Sequence, residues 1–212
     1  MDPSCASLAA LAKEIRAGRL CRDAPRYGSP LPHEPRPVFQ FSTSARLCIV
    51  GQAPGVRAHA SGRPYTDPSG VRLRGWLGIG EDIFYDPQIV AVVAMGFCFP
   101  GLDANGGDLP PRRECAELWR KRLFELLPNL ELTLLVGQYA QKWHLGAKTV
   151  ANGLSDTVGR WRDVYRSGDR LRLMPHPSWR NNAWLKRHPW FDAELLPVLR
   201  MDIARIVSAP RP

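Results

Sequence analysis

Three short apolar runs and a fourth short strand-like segment, each followed by a segment with helical spacing, constrain the fold of this chain more than any other feature. The runs cover residues 47–50, 89–95, 132–136 and 171–174. A strand that is apolar without alternation is buried on both faces, and strands that alternate with helices form parallel sheets. The sequence therefore predicts an α/β fold whose parallel sheet is covered by helices on both sides.

The segments between these runs predict helices over residues 5–17, 71–77, 113–127, 138–145 and 190–207, the last kinked or restarted at Pro197. Residues 25–37 are too rich in proline for a helix or a central strand and are expected to be coil on the surface. A chain of 212 residues is long enough for one buried core, so residues 1–212 are expected to form a single domain.

Charge and cysteine content narrow the possible partners and compartments. The chain has 29 Lys and Arg against 20 Asp and Glu, a formal net charge of +9, which suits a partner rich in phosphates. A basic protein can also carry this charge for solubility alone.

Five cysteines without a secretion signal argue against a disulfide framework. With no apolar run of membrane-spanning length, the protein is expected to be cytoplasmic, without a membrane partner, and monomeric.

The loop after the first run has the most unusual composition. Gly51, Pro54 and Gly55 let the backbone turn tightly and present N–H groups to a ligand. No Gly-Lys-Ser/Thr follows, so this is not a Walker A loop. Asp67 leads through Pro-Ser-Gly into a helix, where it fits either an N-cap or a catalytic acid, and the residues alone favour the cap.

The loop after the last run places His176 between two prolines, which fix the backbone around an imidazole. A histidine in a turn can also be an ordinary surface residue, and these residues leave both interpretations open. Trp179 and Arg180 follow, and they are suited to wedging into a duplex and meeting phosphate. Ligands of parallel sheets bind at the carboxyl ends of the strands, so both loops are expected at one pocket.

Together the two loops resemble the uracil-DNA glycosylase superfamily. Residues 51–55 (GQAPG) resemble its first motif, residues 176–178 (HPS) its second, and residues 62–65 (GRPY) the Gly-Arg-Pro-Phe of its small bacterial and archaeal members. The likeness extends over residues 20–207. It implies a three-layer α/β/α sandwich with a central four-stranded parallel sheet, and a DNA-repair hydrolase that excises a flipped-out base.

The resemblance also implies roles for individual residues. Asp67 and His176 would be catalytic: His176 would stabilise charge on the departing base, and Asp67 would stabilise the cation-like sugar and orient the attacking water. The flipped base would stack on Tyr65. The implied base-binding set is Gly51, Gln52, Ala53, Pro54 and Tyr65, and the implied DNA-binding set is Ser178, Trp179, Arg180 and Asn181.

The sequence departs from the family pattern at three places. Neither Gln52 nor Ala53 is the carboxylate that many members carry in the first motif, and the Asp67-Pro-Ser-Gly segment supplies one instead. Residues 93–98 lack the asparagine that reads uracil in relatives, so uracil is the expected base and hypoxanthine is the alternative. Of the four iron–sulfur ligands of many relatives, Cys21, Cys98 and Cys115 match three, while Gly18 occupies the fourth position.

Cys5 is a poor substitute for that fourth ligand, so a cluster is expected to be weak, labile or absent, and catalysis needs no cofactor. Two other functions remain open from the sequence. One is a non-catalytic relative that recognises altered bases in DNA without excising them. The other is an α/β enzyme acting on a small molecule, which would lack salt-sensitive affinity for DNA.

Overall fold

The computed structural model describes residues 3–209, with side chains from Cys5 onward. Its centre is a four-stranded sheet made of β1 (Leu47–Val50), β2 (Val90–Val92), β3 (Leu132–Val136) and β4 (Leu171–Met174). All pairs are parallel, and the strand order is β2-β1-β3-β4. Leu47 lies opposite both Val90 and Leu132, and Thr133 lies opposite Leu171. The predicted parallel sheet is confirmed.

Helices surround the sheet in the part of the chain that the structure describes. They are α1 (Pro3–Ala17), α2 (Leu20–Asp23), α3 (Val56–Ser61), α4 (Pro68–Leu77), α5 (Glu81–Phe84), α6 (Arg113–Glu125), α7 (Gln138–Leu145), α8 (Gly153–Gly159), α9 (Trp161–Arg166), α10 (Asn182–Arg187) and α11 (Leu196–Ser208). A 3₁₀ turn covers Trp179–Asn181, and a π-helical turn covers Phe191–Leu195.

Successive strand residues point to opposite faces, which creates two separate apolar cores. Leu47 and Ile49 of β1 pack into one core with residues of α4 and α11. Cys48 and Val50 pack into the other core with residues of α1, α6 and α7. The sheet is therefore the middle of three layers, and the α/β/α sandwich expected from the sequence is confirmed.

Most predicted boundaries agree with the structure, and the differences have local causes. β1, β3, β4 and α7 have the predicted bounds. α4 begins three residues before the predicted start because Asp67 caps it and Pro68 occupies its first turn. β2 is shorter than the predicted run over 89–95, since the chain leaves the ladder after Val92 to run beside the first motif. The last helix is divided, and α11 begins at Leu196, next to Pro197.

Several short helices carry too little periodic signal to be predicted, namely α2, α3, α5, α8, α9 and α10. Residues 25–37 form no helix or strand, as their prolines predict. Among the described residues, no helix combines the length and the apolar character that crossing a membrane requires.

Candidate active site

The first motif is held at the carboxyl end of β1 by the segment that follows β2. The N–H of Met95 donates to the Gly51 carbonyl at 2.9 Å, and the N–H of Gly96 donates to the Gln52 carbonyl at 3.0 Å. The N–H groups of Gln52 and Ala53 donate to no atom of the described residues. The carbonyls of Gly51 and Gln52 are thus hydrogen-bonded to the segment after β2, while the N–H groups of Gln52 and Ala53 are available to a ligand.

Tyr65 lies directly against this motif. A Cβ placed on Gly51 would lie 2.6 Å from the Tyr65 hydroxyl, so glycine is what allows the ring to approach. Tyr65 has a positive φ of 54°, and its carbonyl accepts hydrogen bonds from the Tyr85 hydroxyl at 3.1 Å and from Arg74 at 3.3 Å. A Cβ on Gly70 would overlap that same carbonyl. Two glycine contacts and two hydrogen bonds therefore set the position of the Tyr65 ring.

Asp67 begins α4 and serves as its N-cap. Its Oδ1 accepts a hydrogen bond from the Gly70 N–H at 3.2 Å, so the cap interpretation of the sequence is correct. The second carboxylate oxygen, Oδ2, has no partner among the described residues. Capping orients the side chain and leaves one oxygen available for chemistry.

His176 follows β4 between two buried prolines, and its imidazole has a defined proton arrangement. The Ser178 N–H donates to Nδ1 at 3.2 Å, so the neutral ring carries its proton on Nε2. Burial lowers the pKa of His176, Asp67 opposes this effect, and Arg180 adds to it. No described residue accepts a hydrogen bond from Nε2. The ring is therefore a neutral donor.

The loops after β1 and β4 are neighbours at the carboxyl edge of the sheet, where Arg72 of α4 donates to the Ser178 carbonyl at 3.2 Å. Asp67 acts electrostatically on Tyr65 in its own loop, where burial and the Asp67 charge both raise the pKa of the phenol. It also acts on His176 across the sheet edge. A Cβ placed on Gly137, just after β3, would lie 3.5 Å from the His176 Cβ, so His176 sits above the centre of the sheet. One carboxylate thus links both candidate catalytic loops.

Of the residues after His176, two are hydrogen-bonded within the protein and two have exposed side chains. The Asn181 amide donates to the His176 carbonyl at 2.7 Å, and the Ser178 carbonyl accepts from Arg72 at 3.2 Å. Trp179 is 71% exposed, and the Arg180 guanidinium lies 5.4 Å from its ring centroid. Of the four residues predicted to bind DNA, Trp179 and Arg180 are the two with exposed side chains.

Sequence reasoning overlooked two side chains at this edge. Gln141 is buried, and its amide donates to the carbonyls of Leu135 and Met174, which ties the ends of β3 and β4 together. Asp108 lies on a turn after β2, and one of its oxygens would be 3.5 Å from a Cβ placed on Gly55. The Gly-Gly pair before Asp108 indicated a turn, but nothing in the sequence indicated where that turn would fold.

A groove of about 490 Å³ lies behind the Tyr65 loop. Its lining includes Arg63 and Pro64, which directly precede Tyr65, and Phe39 from the segment before β1. None of the residues implied as catalytic lines it. Asp67 and His176 therefore lie outside this groove.

The three cysteines at expected cluster positions are near one another, but the surrounding residues do not fit an iron–sulfur cluster. Cys21 and Cys98 both raise the pKa of Cys115, although burial is the largest cause of that increase. Burial likewise raises the pKa of Cys98 to about 11. Among the described residues, no group of three His, Cys, Asp or Glu side chains is arranged to hold a metal ion.

The fourth corner of this site is closed by packing. A Cβ on Gly18 would lie 3.2 Å from the Ile15 carbonyl oxygen and 3.4 Å from the Trp119 ring. The side chain of Cys5 is instead 3.1 Å from the Thr43 hydroxyl. The buried Glu114 carboxylate, paired with Arg112 at 2.9 Å, adds negative charge beside the thiols. No catalytic step is derived through a cluster.

Comparison with known families agrees with this geometry. The family model described as the uracil DNA glycosylase superfamily matches residues 38–200. The match includes all four strands of the sheet and both loops at its carboxyl edge, and it covers well over half of the 212 residues. The chain therefore belongs to the uracil DNA glycosylase superfamily.

Proposed function

We propose that this protein is a DNA glycosylase that hydrolyses the N-glycosidic bond of a deaminated base flipped out of the helix. Members of its superfamily are generally DNA glycosylases, hydrolases of DNA repair. The observation that supports the proposal is the electrostatic effect of Asp67 on His176, with one carboxylate oxygen and one imidazole N–H that no described residue uses.

The departing base is stabilised as an anion. Its ring stacks beside Tyr65, and its carbonyl edge accepts hydrogen bonds from the N–H groups of Gln52 and Ala53. The Nε2–H of His176 donates to an oxygen of the base on which negative charge develops. A neutral donor that is already oriented stabilises this charge without reorganisation, as in other oxyanion sites. The Ser178 N–H supports this role because it keeps the proton on Nε2.

The sugar left behind becomes cation-like and faces the opposite side of the cleft. Asp67 is suited to this side, since its Oδ1 is anchored by the Gly70 N–H and its Oδ2 is available to the sugar or to water. A carboxylate at this place stabilises the developing positive charge electrostatically. The helix cap and the catalytic role are compatible because they use different oxygens.

Exposed groups beside the cleft suit a DNA strand. Trp179 can occupy the space from which a nucleotide has flipped, and Arg180 can meet a backbone phosphate. The net charge of +9 favours association with DNA through release of counterions. This charge implies affinity that falls steeply with salt.

Uracil is the proposed base, with hypoxanthine as the alternative. Residues 93–98, which match the segment where relatives carry the asparagine that reads uracil, contain no side-chain amide. Recognition therefore falls to backbone N–H groups, which bind the carbonyl that deamination creates in either base. Discrimination between uracil and hypoxanthine is expected to be weaker than in relatives with the amide.

The test is a base-release assay on oligonucleotides that contain one uracil, hypoxanthine or xanthine, as single strands and as duplexes. Wild type is expected to release uracil fastest. His176→Ala and Asp67→Asn are expected to lose about 100-fold or more in single-turnover rate. Asp192→Asn, which changes an exposed aspartate of the π-helical turn, is the matched control and should retain the wild-type rate.

Binding to the same oligonucleotides separates the alternatives. A protein that binds altered DNA in a salt-sensitive manner but releases no base would be a recognition module without catalysis. A protein without salt-sensitive affinity for DNA would contradict the proposal and favour a small-molecule substrate.

A further inference from the structure

The turn between β2 and α6 folds over the first motif and is rigidly built. The Asp103 carboxylate accepts hydrogen bonds from the N–H groups of Asn105 and Gly107, both at 2.8 Å, and the Leu109 N–H donates to the Gly101 carbonyl at 3.0 Å. These bonds form a closed turn over residues 101–109. Its position is therefore set before any ligand binds.

A second contact ties this turn to the candidate active site. The Gln52 side chain donates to the Leu109 carbonyl at 3.3 Å, so a residue of the first motif itself holds the turn in place. Asp108 directly precedes Leu109, and its carboxylate reaches over Gly55 to within 3.5 Å of where a Cβ would stand. This distance is ordinary van der Waals contact, so the Asp108 carboxylate lies against the first motif.

The Asp108 carboxylate has no hydrogen-bond or ion-pair partner among the described residues, although charged groups surround it. Burial, Asp67 and Asp103 raise its pKa, and Arg180 lowers it. The same Asp67 and Arg180 act on His176. Asp108, which is an exposed residue, therefore shares the influence of Asp67 and Arg180 with His176.

We propose that Asp108 is a further catalytic residue of this site, the carboxylate that accepts a proton from the attacking water. This inference rests on the proposed glycosylase function. As the C1′–N bond breaks, its electron pair leaves with the base. The water oxygen forms the new bond to C1′, and its surplus proton passes to a carboxylate oxygen of Asp108. Asp67 stabilises the cation-like sugar before the water adds to it, so the two carboxylates have separate tasks.

If Asp108 accepts the proton of the attacking water, the rate of base release should depend on the protonation state of Asp108 and therefore on pH. A general base works best when its pKa lies near the operating pH, and the raised pKa of Asp108 is in the favourable direction. The single-turnover rate of wild type should fall as the pH drops through that pKa, since protonated Asp108 accepts no proton. Asp108→Asn should remove this acidic limb of the profile.

The experiment compares wild type, Asp108→Asn, Asp108→Ala and the control Asp192→Asn on the best substrate of the base-release screen. The single-turnover rate of Asp108→Asn is expected to fall about 100-fold at pH 7, while its DNA affinity stays equal or increases because a negative charge near phosphate is removed. Sodium formate should partly restore the rate of Asp108→Ala. Asp192→Asn changes an exposed aspartate of the π-helical turn and should react like wild type.

Outcomes distinguish this inference from the function on which it rests. If wild type releases a base and Asp108→Asn stays within threefold of its rate, Asp108 has no catalytic role. If Asp108→Asn loses rate and affinity together, and formate restores nothing, Asp108 only shapes the turn and the inference is wrong. If wild type releases no base from any oligonucleotide, the proposed function fails and the role of Asp108 fails with it.

Discussion

The loops after β1 and β4 lie at the same edge of the sheet, but they are built in different ways. The first depends on the absence of side chains: Gly51 and Gly70 both touch Tyr65, and a Cβ on either would collide with it. The second depends on hydrogen bonds to His176, from Ser178 to its ring and from Asn181 to its carbonyl. One loop positions the Tyr65 ring by close packing, and the other orients the His176 imidazole by hydrogen bonds.

This difference predicts how each loop responds to substitution. A position where a Cβ would collide with a neighbouring residue tolerates no added atom, because protein interiors are close-packed and the backbone moves little. A hydrogen-bonded group can be removed with a modest loss of stability, because one such bond contributes about 1 kcal/mol. Substitutions in the first loop should therefore affect folding or the position of the ring, and those in the second loop should affect chemistry.

The largest effect is expected for Gly70→Ala. The new methyl group overlaps the Tyr65 carbonyl, so the start of α4 and the Tyr65 backbone cannot keep their positions. The free energy of unfolding should fall by about 3 kcal/mol, and base release should be lost. Urea denaturation measures the first effect.

Gly75→Ala is the matched control for Gly70→Ala, in the same helix but with nothing within 4 Å of its new Cβ. It should raise the free energy of unfolding by about 0.5–1 kcal/mol, since alanine favours helix. Equal losses of stability in the two variants would contradict the steric account of the first loop.

The next effect is the loss of chemistry in His176→Ala, whose free energy of unfolding should fall by only about 1 kcal/mol. The imidazole of wild type also predicts a pH dependence. Burial lowers the pKa of His176 from 6.5, so the unfolded chain takes up the proton at higher pH than the folded protein. The free energy of unfolding should therefore decrease as the pH falls from about 6.5 toward the lower pKa that His176 has in the folded protein.

An NMR titration of the His176 ring checks the direction of this shift. The His176 midpoint should lie below 6.5, and the proton should be on Nε2 in the neutral form. A midpoint above 6.5 would mean that the charge of Asp67 outweighs burial, and the ring would then enter the reaction as a cation.

The smallest effect is expected for Gly51→Ala, because its methyl group meets the end of a side chain and not the backbone. The 2.6 Å approach to the Tyr65 hydroxyl should displace the ring and slow base release about tenfold, with stability nearly unchanged. Tyr65→Phe removes the colliding oxygen. The double variant should therefore recover most of the rate, and a double-mutant cycle measures the coupling. Additive losses would show that the two residues do not act through this contact.

Local sequence patterns were sufficient for much of the fold and for part of the candidate site. The strands β1 and β3 are almost entirely apolar because both faces of the sheet are covered, and such runs predict strands with accurate ends. β4 is less apolar, since it contains Arg172 and its first two residues are only partly buried. The chain after Val92 could not be predicted, since residues 93–95 remain apolar while they leave the ladder to support the first motif. Short helices such as α8 and α9 have too few turns for their apolar residues to show helical spacing.

The sequence alone determined the sheet and its two helical layers and singled out the two loops at its carboxyl edge, because burial periodicity and loop composition are local properties of the chain. Only the tertiary structure decided that Asp108 lies against Gly55, that the proton of His176 is on Nε2, and that Gly18 packs close to Ile15 and Trp119. These three properties depend on contacts between segments that are distant along the chain. No local pattern encodes such distances, since they arise only when the sheet brings its loops to one edge.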